Sequence, residues 1–408
     1  MATHLLPESM RCNSYQILKI TGPIYGLSDA ALQWFNTIVR DLKNAKLADL
    51  KVIQSKIDNC LFWFMDADGR AKGYLLIHVD DLEFAIQGDN AMQAFEEFLR
   101  AHGVKEIQDS RISPTEYCGK TLQYQNGELI IDQTNYMESI EPLDIDDSAN
   151  DNTPVTQPQR REAQAVLGQL AWLAVCTLPD LSVVVSYALS DLSSKGDISV
   201  LKFINKQVAN LPKKAFIRVK SLELPWMLLS YGDCSFGLKS QGGRILGIVS
   251  ANQIRKLSNN TAMRRSKFST CEIDFNVIDW QSARVRRVVR STYAGESAVA
   301  SAAVDNAFAA RAILVEGGWG EKMKVIHTID AASVIAAVKS AVIPSNDKRT
   351  AIDISILKEG EAQGWLHCVW LPTDYMMADG MTKVQTPLQK IIRAVTQKAA
   401  VPLPERLQ

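Results

Sequence analysis

Apolar segments bordered by single acidic residues are the feature that most constrains how this chain can fold. Between residues 226 and 384, short strand-like segments alternate with helical ones, including a long Ala-rich helix predicted over 294–316. This order predicts a mixed α/β domain with helices flanking a sheet. Four acidic residues stand at the ends or beginnings of these segments: Asp233, Glu296, Asp330 and Asp379.

Each of these carboxylates also has an ordinary explanation. Glu296, in the first turn of a helix, would stabilise the helix dipole, and Asp379 would cap a helix. Asp233 and Asp330 end apolar strands, where a carboxylate can emerge at a sheet edge. Taken together, the four carboxylates are what two magnesium ions about 3.5–4 Å apart require. The sequence therefore favours a two-metal nuclease site, with manganese as a possible substitute.

The first 140 residues predict a smaller α/β region with an antiparallel sheet. Its predicted elements are helices over 28–46 and 90–102, strands over 60–64, 73–79 and 82–86, and a hairpin over 117–131. Asp80 and Asp81 lie between the second and third strands, at the tip of a hairpin. Two adjacent carboxylates there form either a solvated acidic turn or part of a metal site, with Asp80 as the candidate ligand.

A connector and a group of helices are predicted between these two regions. Residues 141–161 are acidic, contain proline and lack apolar periodicity, which is typical of a solvated linker. Residues 162–221 are predicted to form a helical connection, and 222–390 the mixed-sheet domain. Residues 391–408 are expected to be a C-terminal tail.

Charge is balanced over the whole chain but unevenly distributed along it. Lys and Arg total 45, as do Asp and Glu, yet residues 58–151 hold 20 acidic and 6 basic side chains. Residues 239–290 hold 11 basic and 3 acidic ones, so phosphate backbones should be attracted there. A solvated surface loop is the alternative, but proximity to Glu296 favours nucleic-acid binding. The candidate contacts are Arg255, Lys256, Arg264, Arg265, Lys267, Arg284, Arg286, Arg287 and Arg290.

The cysteine content and the apolar segments argue against several classes of protein. Seven cysteines without a C-x-x-C pair disfavour a zinc knuckle and a disulfide framework, and fit a reducing compartment. No secretory signal is readable, and the apolar stretch 166–178 is shorter than a membrane span of about 20 residues. We expect an intracellular protein, cytoplasmic or nuclear, without a membrane partner; self-association stays open. Trp280 and Trp319 could stack on bases, although core packing is the commoner role of lone tryptophans beside strands.

Three segments resemble the ribonuclease H domain of copia-type retrotransposon polyproteins. They are RVVRSTYAGESAVASAA around Glu296, KRTAIDI at 348–354 and LPTDYMMADGMTK around Asp379. On this resemblance Asp233, Glu296, Asp330 and Asp379 match the four metal-binding carboxylates of the family. One position departs from the pattern, because Ala351 stands where the family has a histidine before the Ile-Asp pair.

The resemblance continues upstream to Gly22. GPIYGLSDAALQWF, SKIDNCLFWF and LIHVDDLEFAI are similar to segments of the reverse-transcriptase part of the same polyproteins. It implies that Asp80 and Asp81 form a residual polymerase site, in which His78 replaces the usual tyrosine. The family carries a further catalytic Asp before the LYGL segment, and this chain begins too late to contain it. We therefore expect an incomplete palm that does not polymerise alone.

The resemblance implies an α/β (α+β) chain. It would comprise a partial reverse-transcriptase palm and thumb-like region (1–140), an acidic linker, a helical connection and a ribonuclease-H-like sheet domain. The implied activity is two-metal hydrolysis of the RNA strand of RNA–DNA hybrids by a retrotransposon-derived Pol fragment. Two alternatives stay open: a silent remnant that only binds nucleic acid, or a reverse transcriptase active only when its missing N-terminal part is supplied.

Overall fold

The computed structural model describes residues 30–146, 148–237, 240–258, 270–320, 322–342 and 347–404. The chain divides into two compact units, Met1–Ile107 and Gln108–Gln408. Both units combine helices with β-sheets, which confirms the mixed α/β fold class expected from the sequence.

The first unit is a four-stranded antiparallel sheet packed against two helices. Its described elements are α1 (Ala30–Asn44), β1 (Lys51–Gln54), β2 (Leu61–Met65), β3 (Ala71–His78), β4 (Asp81–Ile86) and α2 (Asp89–Ala101). The strands pair in the order β1-β2-β3-β4. Leu42 of α1 and Phe95 of α2 are buried against Phe62 and Phe64 of β2, because apolar residues recur at helical spacing in both helices.

The second unit begins with a small antiparallel sheet and a helical layer. Its first elements are β5 (Thr115–Tyr117), β6 (Lys120–Gln125), β7 (Glu128–Asp132), α3 (Thr134–Glu138), α4 (Gln157–Cys176), α5 (Leu181–Ser194), α6 (Ile198–Ala209) and β8 (Phe216–Lys220). The strands form an antiparallel sheet in the order β5-β6-β7-β8. Helices α4, α5 and α6 share a core that includes Leu167, Leu170, Val185 and Leu201.

The segment predicted as a linker is partly packed. Helix α4 already begins at Gln157, where Thr156 and Gln159 form a capping box. Leu143 is buried on the helical core, and its backbone N–H and C=O both hydrogen-bond to the side chain of Asn205. The sequence did not predict the burial of Leu143, because isolated apolar residues in the acidic segment 141–161 do not repeat at a helical or strand period.

A five-stranded mixed sheet forms the centre of the second unit. Its elements are β9 (Trp226–Ser235), β10 (Gln241–Ser250), α7 (Ala251–Ser258), β11 (Thr270–Asp274), β12 (Asn276–Arg284), α8 (Thr292–Glu316), β13 (Val325–Ile329), α9 (Ala332–Lys339), α10 (Lys348–Ala362), β14 (Leu366–Trp370), α11 (Pro387–Lys398) and β15 (Ala400–Pro404). The strand order is β12-β10-β9-β13-β14. Strand β10 is antiparallel to both of its neighbours, β12 and β9, whereas β13 runs parallel to both β9 and β14.

Helix α8 lies on one face of this sheet. Its buried residues include Ala300, Val304 and Ala307, which pack with Leu228 and Leu246 of the sheet. Among the described residues, α8 is the one helix long and apolar enough to cross a membrane by length and composition. Its packing against the sheet accounts for that apolar composition.

The residues predicted as a C-terminal tail are packed in the second unit. Helix α11 and strand β15 cover residues 387–404, and β15 pairs antiparallel with β11. Val401 and Leu403 are fully buried in the same core as Tyr231 and Phe275. The short apolar alternation of β15 did not by itself predict a packed strand, because its partner strand β11 lies far away in the sequence.

Candidate active site

Two of the predicted carboxylates meet because of the strand register. Strands β9 and β13 are parallel and pair Tyr231 with Thr328. Asp233 and Asp330 each stand two residues further along, so both lie at the same edge of the sheet. Parallel pairing therefore brings together two side chains that are 97 positions apart in the sequence.

Glu296 reaches the same edge from the first turns of α8. Ser291 caps this helix by accepting a hydrogen bond from the backbone N–H of Ala294. A Cβ atom added at Gly295 would lie 2.8 Å from Sγ of Cys234, so glycine is required for this close approach of helix and strand. The backbone N–H of Cys234 donates to the Glu296 carboxyl group.

Asp379 comes from the opposite face, on the 3₁₀ helix Met377–Met381. Gly243 of β10 pairs with Asp233, and a Cβ atom added there would lie 2.5 Å from the carbonyl oxygen of Ala378. The absence of a side chain at Gly243 lets the 3₁₀ helix lie directly on the sheet. Thr382, just after this helix, donates from Oγ1 to Oδ2 of Asp233 at 2.8 Å.

The structure gathers three carboxylates into one potential cation site. Ligand oxygens of Asp233, Glu296 and Asp330 all lie within 4.8 Å of one another, the only such metal-type group among the described residues. Asp233 and Glu296 are 5% and 6% exposed, so water cannot screen their charges well. Asp379, also 6% exposed, stands outside this group, and Lys383 donates to its Oδ1.

Burial shifts the acidity of the cluster. It raises the pKa of Asp233 to about 6; the neighbouring Asp330 and Asp379 add to the rise, and the Thr382 hydrogen bond opposes it. Burial, together with Asp233 and Asp330, raises the pKa of Glu296 to about 9. Burial also raises the pKa of Asp330, against a hydrogen bond that Thr373 donates to its Oδ2 at 3.0 Å. Two buried carboxylates and a half-buried one, in mutual repulsion, are a donor set suited to a hard divalent cation.

Three supporting residues were not identified by sequence reasoning: Thr373, Thr382 and Lys383. All belong to the segment LPTDYMMADGMTK that carries Asp379. The spacing of four between Asp379 and Lys383 was the available signal, because side chains at that spacing meet on a helical turn. The two threonines had no signal, since their partners lie on other strands.

The predicted basic contacts fall into three groups. Arg284 donates to Ser190 Oγ at 2.6 Å and Arg287 is ion-paired with Asp353, so both are engaged within the protein. Arg286 and Arg290 are exposed in the loop before α8, and Arg255 is exposed on α7. Arg264, Arg265 and Lys267 lie outside the described residues, as does the side chain of Lys256.

The structure also places the remaining candidates. Ala351 lies in the first turn of α10, two residues before Asp353. Trp280 donates from Nε1 to the carbonyl oxygen of Ala174 at 2.6 Å, and Trp319 stacks on Trp226 with ring centroids 5.5 Å apart. Both tryptophans are thus engaged in internal packing.

The hairpin of the first unit carries the two adjacent carboxylates predicted as a residual polymerase site. Asp80 and Asp81 are exposed at the β3–β4 turn, where His78 pairs with Asp81. Val79 in this turn has φ of +55°, a strained conformation for a β-branched residue. Within the described chain, no third acidic, His or Cys side chain joins them in a metal-type group.

No protein-family model matches the chain. Among solved structures, it is similar to ribonuclease H1 from the halophilic archaeon Halobacterium salinarum NRC-1, with 14% identity, a TM-score of 0.26, and coverage of 38% of this chain and 93% of that one. It is also similar to a foamy viral protease–reverse transcriptase in complex with an RNA/DNA hybrid, with 11% identity, a TM-score of 0.40, and coverage of 73% and 36%. For native prototype foamy virus protease–reverse transcriptase the identity is 8%, the TM-score 0.23, and the coverage 92% and 62%.

The chain thus spans 36% and 62% of the two foamy virus chains. Identities and scores this low do not carry a functional assignment.

Proposed function

We propose that this chain hydrolyses the RNA strand of RNA–DNA hybrids at a divalent-metal site in its second unit. The convergence of Asp233, Glu296 and Asp330 carries this proposal. Three partly or fully buried acids repel one another and are poorly hydrated, so their proximity disfavours the ionised site unless a cation neutralises it. A metal-binding role explains this arrangement better than helix capping or a solvated turn.

The cluster fits magnesium or manganese, with Asp233, Glu296 and Asp330 as the holding residues. When bound, such an ion would activate a water nucleophile and stabilise the departing oxygen. Thr382 and Thr373 fix the orientation of the Asp233 and Asp330 carboxylates through their hydroxyl groups. Asp379 and Lys383 complete the polar surface beside the cluster.

The choice of an RNA–DNA hybrid rests on two supports. The segments around Glu296, Ala351 and Asp379 resemble copia-type ribonuclease H, and the exposed Arg286 and Arg290 precede the helix that carries Glu296. These arginines would bind backbone phosphates without reading the base sequence. We further propose that the chain is a retrotransposon-derived Pol fragment with a polymerase-derived N-terminal region, a helical connection that begins with α4, and a nuclease domain that runs from residue 222 through strand β15.

The activity can be tested with the full chain and a hybrid whose RNA strand is labelled, in magnesium or manganese. Asp233→Asn should lower the cleavage rate at least about 100-fold, because loss of an outer hydrogen-bonding partner of a metal ligand typically costs about 10–100-fold. Hybrid affinity should stay within about twofold, because phosphate contacts carry it. The exposed Asp144→Asn is the matched control and should cleave like the wild type. Equal cleavage by Asp233→Asn would refute the assignment.

A silent nucleic-acid-binding remnant is the second candidate, and Ala351 favours it. A methyl group in the first turn of α10 cannot transfer a proton. This candidate is supported if hybrid binding weakens steeply with salt while no cleavage occurs at any magnesium or manganese concentration.

A further inference from the structure

Lys383 places a positive charge beside the carboxylate cluster. Its Nζ donates to Oδ1 of Asp379, four residues earlier in the chain. Its charge also lowers the pKa of Asp233, Glu296 and Asp330. The ammonium group of Lys383 therefore pairs with Asp379 and acts electrostatically on the other three predicted acids.

The four acids do not form one symmetrical set. Asp233, Glu296 and Asp330 have ligand oxygens within 4.8 Å of one another, whereas Asp379 is absent from that group. Asp379 is equally buried, so exposure does not explain the difference. The distinguishing feature is that its carboxylate already has a cationic partner in Lys383.

We propose that this site binds one divalent ion, on Asp233, Glu296 and Asp330, and that the ammonium group of Lys383 takes the place of a second ion at Asp379. The inference rests on the proposed function and replaces the expectation of two metal ions. An ammonium group carries three hydrogen-bond donors and a permanent charge near neutral pH, so it can contact an anionic phosphate oxygen. A second divalent ion beside it would be repelled.

Metal stoichiometry tests the inference independently of hydrolysis. Manganese is titrated into the metal-free full chain by calorimetry, and the bound ions are examined by electron paramagnetic resonance. We expect one ion on the wild type, with the spectrum of an isolated ion. Lys383→Met and Lys383→Gln, which lack the charge, should each bind two ions with a spin-coupled spectrum.

Two further variants act as controls. Lys383→Arg keeps a cation and should still bind one ion. Lys390→Met removes an exposed lysine on the neighbouring helix α11 and should also bind one ion. In the neutral Lys383 variants, cleavage should change from first-order to second-order dependence on manganese, with the half-maximal concentration raised at least about tenfold.

The outcomes separate this inference from the proposed function. Two ions on the wild-type chain would overturn the role of Lys383 and leave the nuclease proposal intact. One ion on folded Lys383→Met and Lys383→Gln would also overturn it, with folding checked by circular dichroism. No bound ion on the wild type, with no cleavage, would overturn both.

Discussion

Gly243 and Gly295 stand where the segments carrying Asp379 and Glu296 approach the sheet most closely. A methyl group at either position would come within 3 Å of neighbouring atoms. At Gly243 the nearest atom is a backbone oxygen, which cannot rotate away as a flexible side chain could. A side chain at Gly243 would therefore displace the segment that carries Asp379, whereas one at Gly295 would require the Cys234 side chain to move.

The raised pKa of Glu296 predicts a pH dependence of the stability of the metal-free chain. Its folded pKa is about 9 against a reference of 4.5, so between these values the folded chain keeps a proton that the unfolded chain has released. The contribution of Glu296 to stability is then greatest below pH 4.5 and falls as pH rises towards 9. Glu296→Gln cannot ionise, so its stability should match the wild type at the acidic end and exceed it increasingly above.

The advantage of Glu296→Gln over the wild type in free energy of unfolding should grow by no more than about 1.4 kcal/mol for each pH unit in that window. Urea unfolding after chelation of metals, at acidic, neutral and alkaline pH, measures it. Glu138→Gln, at an exposed position of α3, should show no such trend. A stability difference independent of pH would contradict a buried, ionisable Glu296.

Helices α5 and α11 hold the segment that carries Asp379. Tyr187 of α5 donates from its hydroxyl group to the carbonyl oxygen of Thr382 at 3.2 Å. Asp180, just before α5, is ion-paired with Arg393 of α11 and accepts from Gln389 Nε2 at its carbonyl oxygen at 2.8 Å. The helical connection thus braces the segment that carries Asp379 directly.

Arg393→Met should destabilise the chain by about 3–5 kcal/mol, because it leaves a buried carboxylate without its partner. Asp180 is 3% exposed, and burial raises its pKa despite the nearby arginine. Urea denaturation at neutral pH measures the change. Lys195→Met removes the exposed partner of Asp191 and should cost at most about 1 kcal/mol. Similar losses for the two variants would show that the buried pair is not a structural anchor.

The second unit is one body although the sequence suggests several regions. Strand β8, from the small sheet, is joined to the mixed sheet through Lys220 and Asn276, whose backbone and side-chain amides exchange hydrogen bonds at 2.9 and 2.7 Å. Arg218 of β8 donates to the carbonyl oxygen of Gln397 at 3.0 Å. The residues between 108 and 221 are therefore part of the structure that supports the site.

A fragment of residues 108–408 should fold cooperatively and bind manganese like the full chain. A fragment of residues 222–408 should lose both properties, because it exposes apolar surface that α4 and α5 cover. Circular dichroism during thermal unfolding and manganese calorimetry provide the measurements. Should the shorter fragment unfold at the same temperature and bind metal equally well, the helical connection would be an independent module.

The elements and the candidate ligands were accessible from the sequence because their signals are local. Apolar periodicity predicted α1 and α8 near their observed bounds, and the acidic residues beside apolar segments indicated Asp233, Glu296, Asp330 and Asp379, although Asp233 lies within β9 and not at its end. Only the tertiary structure decided which of these carboxylates meet, since parallel pairing of β9 with β13 joins distant segments. It also revealed the bracing by Asp180 and Arg393, and the packed C-terminal strand. Those features depend on partners far apart in the chain, and local sequence patterns do not identify such partners.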